Sequence, residues 1–284
     1  MSAHHRTGFF QGAGGTKLFF QSWQSTKDKK EIPTKAILIF VHGLGEHSGR
    51  YQYPVEFFVK KGYVLYAMDL RGHGKSGGDR GYADSFEQIL EDLQKFVDKV
   101  RSDTGKHPLF VEGHSFGGQI ALNFGLHTNG TLRGMVVSSP NIRLKMPFPF
   151  WKRVLAPLIA RIAPKLFLAN ELDPKWISHD PQVVEKYIND PLVQRKITTR
   201  LADLILGNQQ MLPEAAPQFK LPCLMMHAGD DLICSPEGTR DFFENVSARD
   251  KTLKIYPGFY HELFNEVDRE KVFRDMEAWF EKRL

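Results

Sequence analysis

The chain of 284 residues is long enough to bury the core of one α/β domain with an insertion, and its hydrophobic fraction (42%) is that of an ordinary globular protein. Its net charge of +5 is a mild bias, and no basic repeat, zinc spacing or aromatic RNA motif accompanies it, so no nucleic-acid partner is expected. Two cysteines, Cys223 and Cys234, exclude a disulfide scaffold. Because the N-terminus does not resemble a signal peptide, we expect a cytoplasmic protein.

The first part of the chain predicts a hairpin and then strands that alternate with helices. Residues 8–23 hold two apolar stretches around a glycine-rich turn, which is typical of an antiparallel hairpin. The continuous apolar runs Ala36–Val41 and Tyr63–Met68 indicate strands buried on both faces. A capping box at Ser85 opens a helix whose apolar residues recur every three or four positions from Phe86 to Val100. This alternation predicts a mainly parallel, doubly wound sheet.

A Gly-x-Ser-x-Gly pattern occupies residues 113–117, between a predicted strand and a predicted helix. Glycines on both sides of Ser115 allow the sharp turn that would lift its hydroxyl out of the sheet. We therefore expect Ser115 to be a nucleophile, with the Phe116 N–H directed at the oxygen of the attacked carbonyl. His114 is expected to point in a different direction and is not the predicted base.

A second glycine loop, His42–Tyr51, follows the predicted strand Ala36–Val41. Open α/β sheets place ligand sites in loops at the carboxyl ends of their central strands. The Leu44 N–H in this loop is the natural second donor of an oxyanion hole. The alternative is a solvent-exposed turn with no catalytic role, and the predicted nucleophile at Ser115 argues against that alternative.

An acid and a histidine follow the last two predicted strands. Asp231 and His261 come after Ser115 in the chain order serine, acid, histidine, which is that of one known class of serine hydrolases. Asp230 is an alternative acid, but the residues after Asp231 let the chain continue into the next helix, which favours Asp231. His227 lies inside the preceding strand and is interpreted as a packed residue.

Residues 141–206, called the insertion below, interrupt this alternation. Seven prolines break the segment into pieces that read as helical, so we predict a helical cap above the strand ends. The predicted organisation is a first core part at residues 1–140, the cap at 141–206 and a second core part at 207–284.

The first half of the insertion combines basic and large apolar residues without Asp or Glu between Asn141 and Asn170. This composition suits a surface that rests on a membrane or admits lipid. A cap that buries its apolar face on the core is the alternative. The basic members are Arg143, Lys145, Lys152, Arg153, Arg161 and Lys165, interleaved with Phe148, Phe150, Trp151, Leu155, Leu158, Ile159, Ile162, Leu166, Phe167 and Leu168.

Together these motifs resemble the monoacylglycerol lipase and lysophospholipase branch of the serine α/β-hydrolases. The resemblance rests on His42–Tyr51, Asp69–Ser76, the serine turn, Asn189–Leu192 and Lys251–His261, and it covers almost the whole chain. It implies Ser115 as nucleophile, Asp231 as acid, His261 as base, and backbone donors at Leu44 and Phe116. It also implies that three polar residues line the glycerol end of the pocket, namely Glu46, Arg50 and Tyr187.

One position departs from that family. Family members that bind glycerol often carry a second histidine three residues after the catalytic one, where this chain has Phe264. The expected activity is hydrolysis of monoacyl lipid esters through an acyl-enzyme, without a metal ion or organic cofactor. A lysophospholipase, a general carboxylesterase or a peptidase remains as an alternative, as does a non-catalytic lipid-binding protein. The oligomeric state is left open.

Overall fold

The computed structural model describes residues 2–27, 30–31, 33–128, 130–145, 150–170 and 172–284. Within them the strands are β1 Ser2–Gln11, β2 Lys17–Lys27, β3 Lys30–Glu31, β4 Ala36–Val41, β5 Tyr63–Met68, β6 Leu109–His114, β7 Gly134–Ser138, β8 Phe167–Ala169, β9 Lys196–Thr198, β10 Cys223–Ala228 and β11 Lys251–Tyr256. The α-helices are α1 Gln52–Val59, α2 Phe86–Thr104, α3 Phe116–His127, α4 Phe150–Ile162, α5 Pro181–Asn189, α6 Thr199–Ala215, α7 Pro236–Asn245 and α8 Arg269–Glu281.

The main sheet follows the order β1-β2-β5-β4-β6-β7-β10-β11, with β3 paired to β2. The six strands β5, β4, β6, β7, β10 and β11 are parallel. Strands β1 and β2 form the antiparallel hairpin that the sequence predicted, and β2 pairs antiparallel with β5. Every residue of β4, β5 and β6 is buried, because helices cover both faces of the sheet. Parallel strands place their carboxyl ends at one edge, and the loops after β4, β6, β10 and β11 meet there.

Two apolar cores fill the layers on the two faces of the sheet. One core packs α2, α3 and part of α6 against the sheet, and α2 contributes apolar residues at helical spacing from Phe86 to Val100. The other core packs α1 and α8 through an aromatic cluster that includes Phe58, Phe273 and Phe280. The loops at the carboxyl edge therefore stand on a scaffold that is packed on both sides.

The insertion is mostly helical and carries α4, α5 and the first part of α6. It also contains a two-stranded antiparallel sheet of β8 and β9, which the sequence analysis did not predict because these strands are only three residues long. Helix α6 runs without interruption to Ala215, so the boundary predicted after residue 206 falls inside a helix. Among the described residues, no helix has both the length and the apolar character needed to cross a bilayer.

Candidate active site

Ser115 stands at a strained turn between β6 and α3, with a φ of 51°. Its N–H donates to the Ser138 carbonyl (3.0 Å) and its carbonyl accepts from the Asn141 N–H (2.9 Å), which holds the turn from both sides. A Cβ atom at Gly117 would overlap the Val41 carbonyl, so only glycine permits α3 to approach β4 this closely. The predicted strand, turn and helix are therefore all present around the serine.

His261 and Asp231 are joined by a hydrogen bond of 2.7 Å between Nδ1 and Oδ2. The other oxygen of Asp231 accepts from the N–H groups of Ile233 (2.8 Å) and Cys234 (3.0 Å). Burial disfavours the charged carboxylate, but His261 and the hydrogen-bond donors around it hold the pKa of Asp231 well below its ordinary value. Burial likewise opposes a charged imidazole, yet Asp231 raises the pKa of His261. The side chain of Asp230 is exposed, which supports Asp231 as the acid.

His227 is a second partner of the proposed acid that the sequence analysis missed. It is fully buried in β10, as a packed residue should be, but its Nε2 lies 3.2 Å from Asp231 Oδ2. Its Nδ1 lies 2.7 Å from the Thr239 hydroxyl. These contacts fit an imidazole that carries its proton on Nε2 and accepts from Thr239 at Nδ1. The only sequence signal was the four-residue spacing between His227 and Asp231 across the end of a strand.

Ser115 and His261 line one cavity of about 330 Å³ between the sheet edge and the insertion. Most of its wall is apolar and comes from the insertion, with Ile159, Leu168 and Ile205 among the lining residues. Beside Ser115, the thiol of Cys234 is within hydrogen-bonding reach of the serine side chain, and burial raises the pKa of that thiol. The cavity can accordingly take a ligand with a large apolar part next to the serine.

The predicted oxyanion donors, Leu44 and Phe116, flank the serine. Leu44 lines the cavity in the loop after β4. Phe116 begins α3, where the first N–H groups of a helix have no acceptor within the helix. The loop is tied to the insertion, since the Gly45 carbonyl accepts from the Gln194 N–H (2.7 Å) and His47 Nε2 lies 2.9 Å from Asp190 Oδ2.

The three polar residues expected at the glycerol end form one cluster. Arg50 donates to Glu46 Oε2 (2.8 Å), and its guanidinium lies 4.8 Å from the centre of the Tyr187 ring. Glu46 and Tyr187 line the large cavity, whereas Arg50 lines a small adjacent cavity behind it. Arg50 also makes a bidentate pair with Glu262, a residue that the sequence analysis did not single out.

The loop that carries His261 is held by the insertion as well as by the core. The His261 N–H donates to the Trp176 carbonyl (3.4 Å), and the Glu262 N–H donates to the Ile177 carbonyl (2.8 Å). The buried carboxylate of Glu266 accepts from the Tyr260 N–H (2.7 Å) and lies 2.8 Å from His179 Nδ1. The position of the histidine therefore depends on a segment that precedes it by about eighty residues.

His114 does not act with Asp231 but packs beside the proposed base. The centres of the His114 and His261 rings are 4.8 Å apart. Burial, and then the proximity of His261, lowers the pKa of His114 to about 4, so its imidazole is neutral near pH 7. Its Nδ1 lies 3.2 Å from both the carbonyl and the hydroxyl of Ser138, whereas Nδ1 of His261 faces the Asp231 carboxylate, so His261 is the imidazole that an acid orients.

Comparison with known proteins identifies the family. The family model described as serine aminopeptidase, S33, matches residues 32–268. A monoacylglycerol lipase of Mycolicibacterium smegmatis is 32% identical over 97% of this chain and 96% of its own length. An uncharacterized abhydrolase domain-containing protein of Dictyostelium discoideum is 38% identical over 94% of this chain, which spans only 28% of that relative's length.

A solved structure extends the likeness to three dimensions. The crystal structure of the Paleococcus ferrophilus monoacylglycerol lipase superimposes with a TM-score of 0.82 at 31% identity, and the match covers 100% of both chains. The predicted fold class and family resemblance are confirmed. The chain belongs to the serine aminopeptidase S33 family and is a serine α/β-hydrolase of the monoacylglycerol lipase type.

Proposed function

We propose that this protein hydrolyses esters of monoacyl lipids, with monoacylglycerol as the substrate class, through an acyl-enzyme formed on Ser115. The observation that carries the proposal is the Asp231–His261 hydrogen bond at the wall of the cavity that Ser115 also lines. The names of the Mycolicibacterium and Paleococcus relatives support the choice of a monoacylglycerol.

In the first step His261 accepts the proton of the Ser115 hydroxyl as its oxygen attacks the ester carbonyl. Asp231 holds the imidazole with its Nδ1 proton toward the carboxylate and stabilises the imidazolium. The Leu44 and Phe116 N–H groups stabilise the oxyanion, and loss of one such donor typically costs ~3–4 kcal/mol. His261 then gives the proton to the leaving alcohol.

In the second step water repeats the sequence. His261 takes a proton from water, the hydroxide adds to the acyl-enzyme carbonyl, and the fatty acid leaves as the proton returns to Ser115. The ester carbon receives its new oxygen from water, so the residues present suffice without a metal ion or organic cofactor.

The cavity has two ends of different chemistry. The part of the wall that contains Ile159, Leu168 and Ile205 of the insertion is apolar and suits an acyl chain, whereas Glu46 and Glu262 line the cavity together with Tyr187 of α5. Because His261 must protonate the leaving alcohol, the polar end is where that alcohol belongs. We therefore assign the acyl chain to the insertion, residues 141–206, acting as a cap.

We also propose that the cap contacts membranes at the cavity entrance. Six large apolar side chains of its first half are 37–74% exposed. Two of them also line the cavity, so the exposed group is continuous with the acyl site. The six, named here the exposed apolar group, are Leu158, Ile159, Ile162, Leu166, Phe167 and Leu168.

The basic residues of the cap contribute unequally to this contact. Arg161 is exposed, but Lys165 is paired with Asp79 and Arg143 with Asp241. Phe148 and the side chains of Phe150, Trp151, Lys152, Arg153 and Leu155 lie outside the described residues. The described part of the cap therefore supports apolar more than electrostatic contact.

A panel of esters tests the proposed activity. Monoacylglycerols, lysophospholipids and p-nitrophenyl esters of graded chain length should be cleaved by the wild type, with kcat/KM rising as the acyl chain lengthens. Ser115→Ala should abolish both turnover and labelling by a fluorophosphonate, while Ser102→Ala, at an exposed serine of α2, should change neither. Residual turnover by Ser115→Ala above about 10⁻⁴ of wild type would show that another residue is the nucleophile.

A further inference from the structure

Two carboxylates share a single guanidinium at the polar end of the cavity. Arg50 Nη1 lies 2.6 Å from Glu262 Oε1 and 2.8 Å from Glu46 Oε2, and Arg50 Nη2 lies 2.8 Å from Glu262 Oε2. Glu262 Oε2 also accepts from the Asn265 amide (2.7 Å), and Glu46 Oε1 accepts from the Gly43 N–H (2.7 Å). Both carboxylates are buried and both line the cavity.

The charges of this cluster do not cancel. Burial disfavours ionised Glu262, but Arg50 holds its pKa below the ordinary value, so this carboxylate is charged near pH 7. Glu46 accepts three hydrogen bonds, from Arg50, the Gly43 N–H and the Tyr51 hydroxyl, and this set of donors is that of an ionised carboxylate. Two negative groups and one positive group leave an excess of one negative charge.

The positive charge of a protonated His261 is balanced by Asp231, and the remaining titratable groups facing the cluster do not supply the missing positive charge. Burial lowers the pKa of His114 to about 4 and raises those of Tyr51 and Tyr187, so all three side chains are neutral near pH 7. Arg195, which lies near Tyr187, is exposed and therefore screened by solvent.

The cluster lies where the leaving alcohol must stand. Glu262 follows His261 directly in the chain, and the ring of His114, another lining residue, packs on the His261 ring. Since His261 delivers the proton to the alcohol oxygen, substituents on that alcohol extend into the part of the cavity that Glu46 and Glu262 line. A charge on the alcohol would meet the excess negative charge at short range and in a medium of low dielectric constant.

We propose that Glu262, together with Glu46, is a specificity-determining residue that selects the leaving alcohol by its charge. Esters of neutral alcohols and of cationic amino alcohols are accepted, and esters of anionic alcohols such as phosphorylated glycerol are excluded. The inference rests on the proposed ester hydrolysis at Ser115 and adds cationic alcohols to its substrate class. The reaction is unchanged: the acyl–oxygen bond breaks, water supplies the new oxygen, and the alcohol leaves with a proton from His261.

Three octanoyl esters that differ only in the alcohol test this selection, namely those of glycerol, choline and glycerol 3-phosphate. For the wild type, kcat/KM for the glycerol and choline esters should each exceed that for the glycerol phosphate ester by about 100-fold, since like charges brought close together repel. Glu262→Gln should reduce both preferences by about tenfold, mainly through KM, because it removes one charge and keeps a similar shape. Glu270→Gln, which removes an exposed carboxylate on α8, should leave the preferences unchanged.

Several results would overturn the proposal. Equal kcat/KM for the glycerol and glycerol phosphate esters of the wild type would do so, as would a choline ester that is not hydrolysed. The proposal would also fail if Glu262→Gln kept the wild-type ratios of kcat/KM between the three esters. If Glu262→Gln does not fold, Glu46→Gln provides the same test at the other carboxylate. If p-nitrophenyl octanoate is also left intact by the wild type, the proposed ester hydrolysis itself fails, and this outcome is distinct from a loss of charge selection.

Discussion

His227 and His261 lie against the same oxygen of one carboxylate. Asp231 Oδ2 is 2.7 Å from His261 Nδ1 and 3.2 Å from His227 Nε2. The hydrogen bond between His227 Nδ1 and the Thr239 hydroxyl connects this carboxylate to helix α7. Asp231 is thus positioned by β10 and α7 from one side, while it orients the proposed base on the other.

The contact between His227 and Asp231 predicts that removal of the His227 imidazole weakens both stability and turnover. His227→Leu should lower the free energy of unfolding by about 1.5–3 kcal/mol, because a buried charged group loses a hydrogen-bond donor. It should lower kcat about tenfold, since Asp231 is then held less firmly, and a tenfold change corresponds to about 1.4 kcal/mol of activation free energy. Urea unfolding and steady-state kinetics measure the two effects.

His227→Gln is the matched control, because the glutamine amide can place a donor where Nε2 stands. It should recover most of the lost turnover. If the leucine and glutamine variants have the same kcat, the donor at this position does not act through Asp231. His127→Gln, at an exposed histidine at the end of α3, should behave as wild type.

The two adjacent aspartates predict very different losses of activity. Asp231→Asn removes the charge that supports the His261 imidazolium and allows the wrong tautomer, so kcat should fall by about 10⁴-fold. Asp230→Asn changes an exposed side chain and should cost less than about threefold, within the range of ordinary surface substitutions. Kinetics with a soluble p-nitrophenyl ester compares the two, and equal losses would contradict the assignment of Asp231 as the acid.

The pH dependence of activity follows from the position of His261. Although burial opposes protonation, Asp231 raises the pKa of this imidazole above its ordinary value of 6.5. A general base must be neutral to accept a proton, so activity is lost as the pH falls below that pKa and is gained as the pH rises through it. The acidic limb of kcat/KM for a soluble ester should therefore be centred above pH 6.5.

A different centre for that limb would identify a different base. His114 is the other imidazole next to the serine, and burial lowers its pKa to about 4. An acidic limb centred near pH 4 would indicate His114 as the base. If the midpoint of the acidic limb is the same in Asp231→Asn as in the wild type, the group that titrates is not one whose pKa Asp231 raises.

Features coded by local patterns were predictable from the sequence. Two glycines around Ser115 and a capping serine before α2 each act within a few residues, and the structure shows both the strained turn and the Ser85 cap that accepts from the Gln88 N–H. The apolar runs of β4, β5 and β6 likewise indicate burial on both faces, from which the parallel sheet follows.

Features that depend on distant segments were not predictable in the same way. The Arg50–Glu262 pair joins residues 212 positions apart, so no local pattern could reveal it. His227 acts on Asp231 only because the chain turns back at the end of β10, and a buried histidine within a strand looks like any packed residue. The helix α6 continues past residue 206 because its first proline, Pro213, comes in its last turns.

The exposed apolar group of the cap predicts that membrane binding and catalysis on soluble substrates are separable. Leu158 is 55% exposed and Ile162 is 74% exposed on α4, and neither lines the cavity. Glutamine at both positions keeps the helix propensity but removes apolar area worth about 1.5–3 kcal/mol per side chain when buried, so partitioning onto phospholipid vesicles should fall at least tenfold. Vesicle flotation measures binding, and kcat/KM for a soluble short-chain ester should stay within about twofold of wild type. Val267→Gln, at a residue 64% exposed before α8, removes exposed apolar surface outside the cap and should bind vesicles as wild type does. Unchanged vesicle binding by the double variant would refute the docking of the cap on membranes.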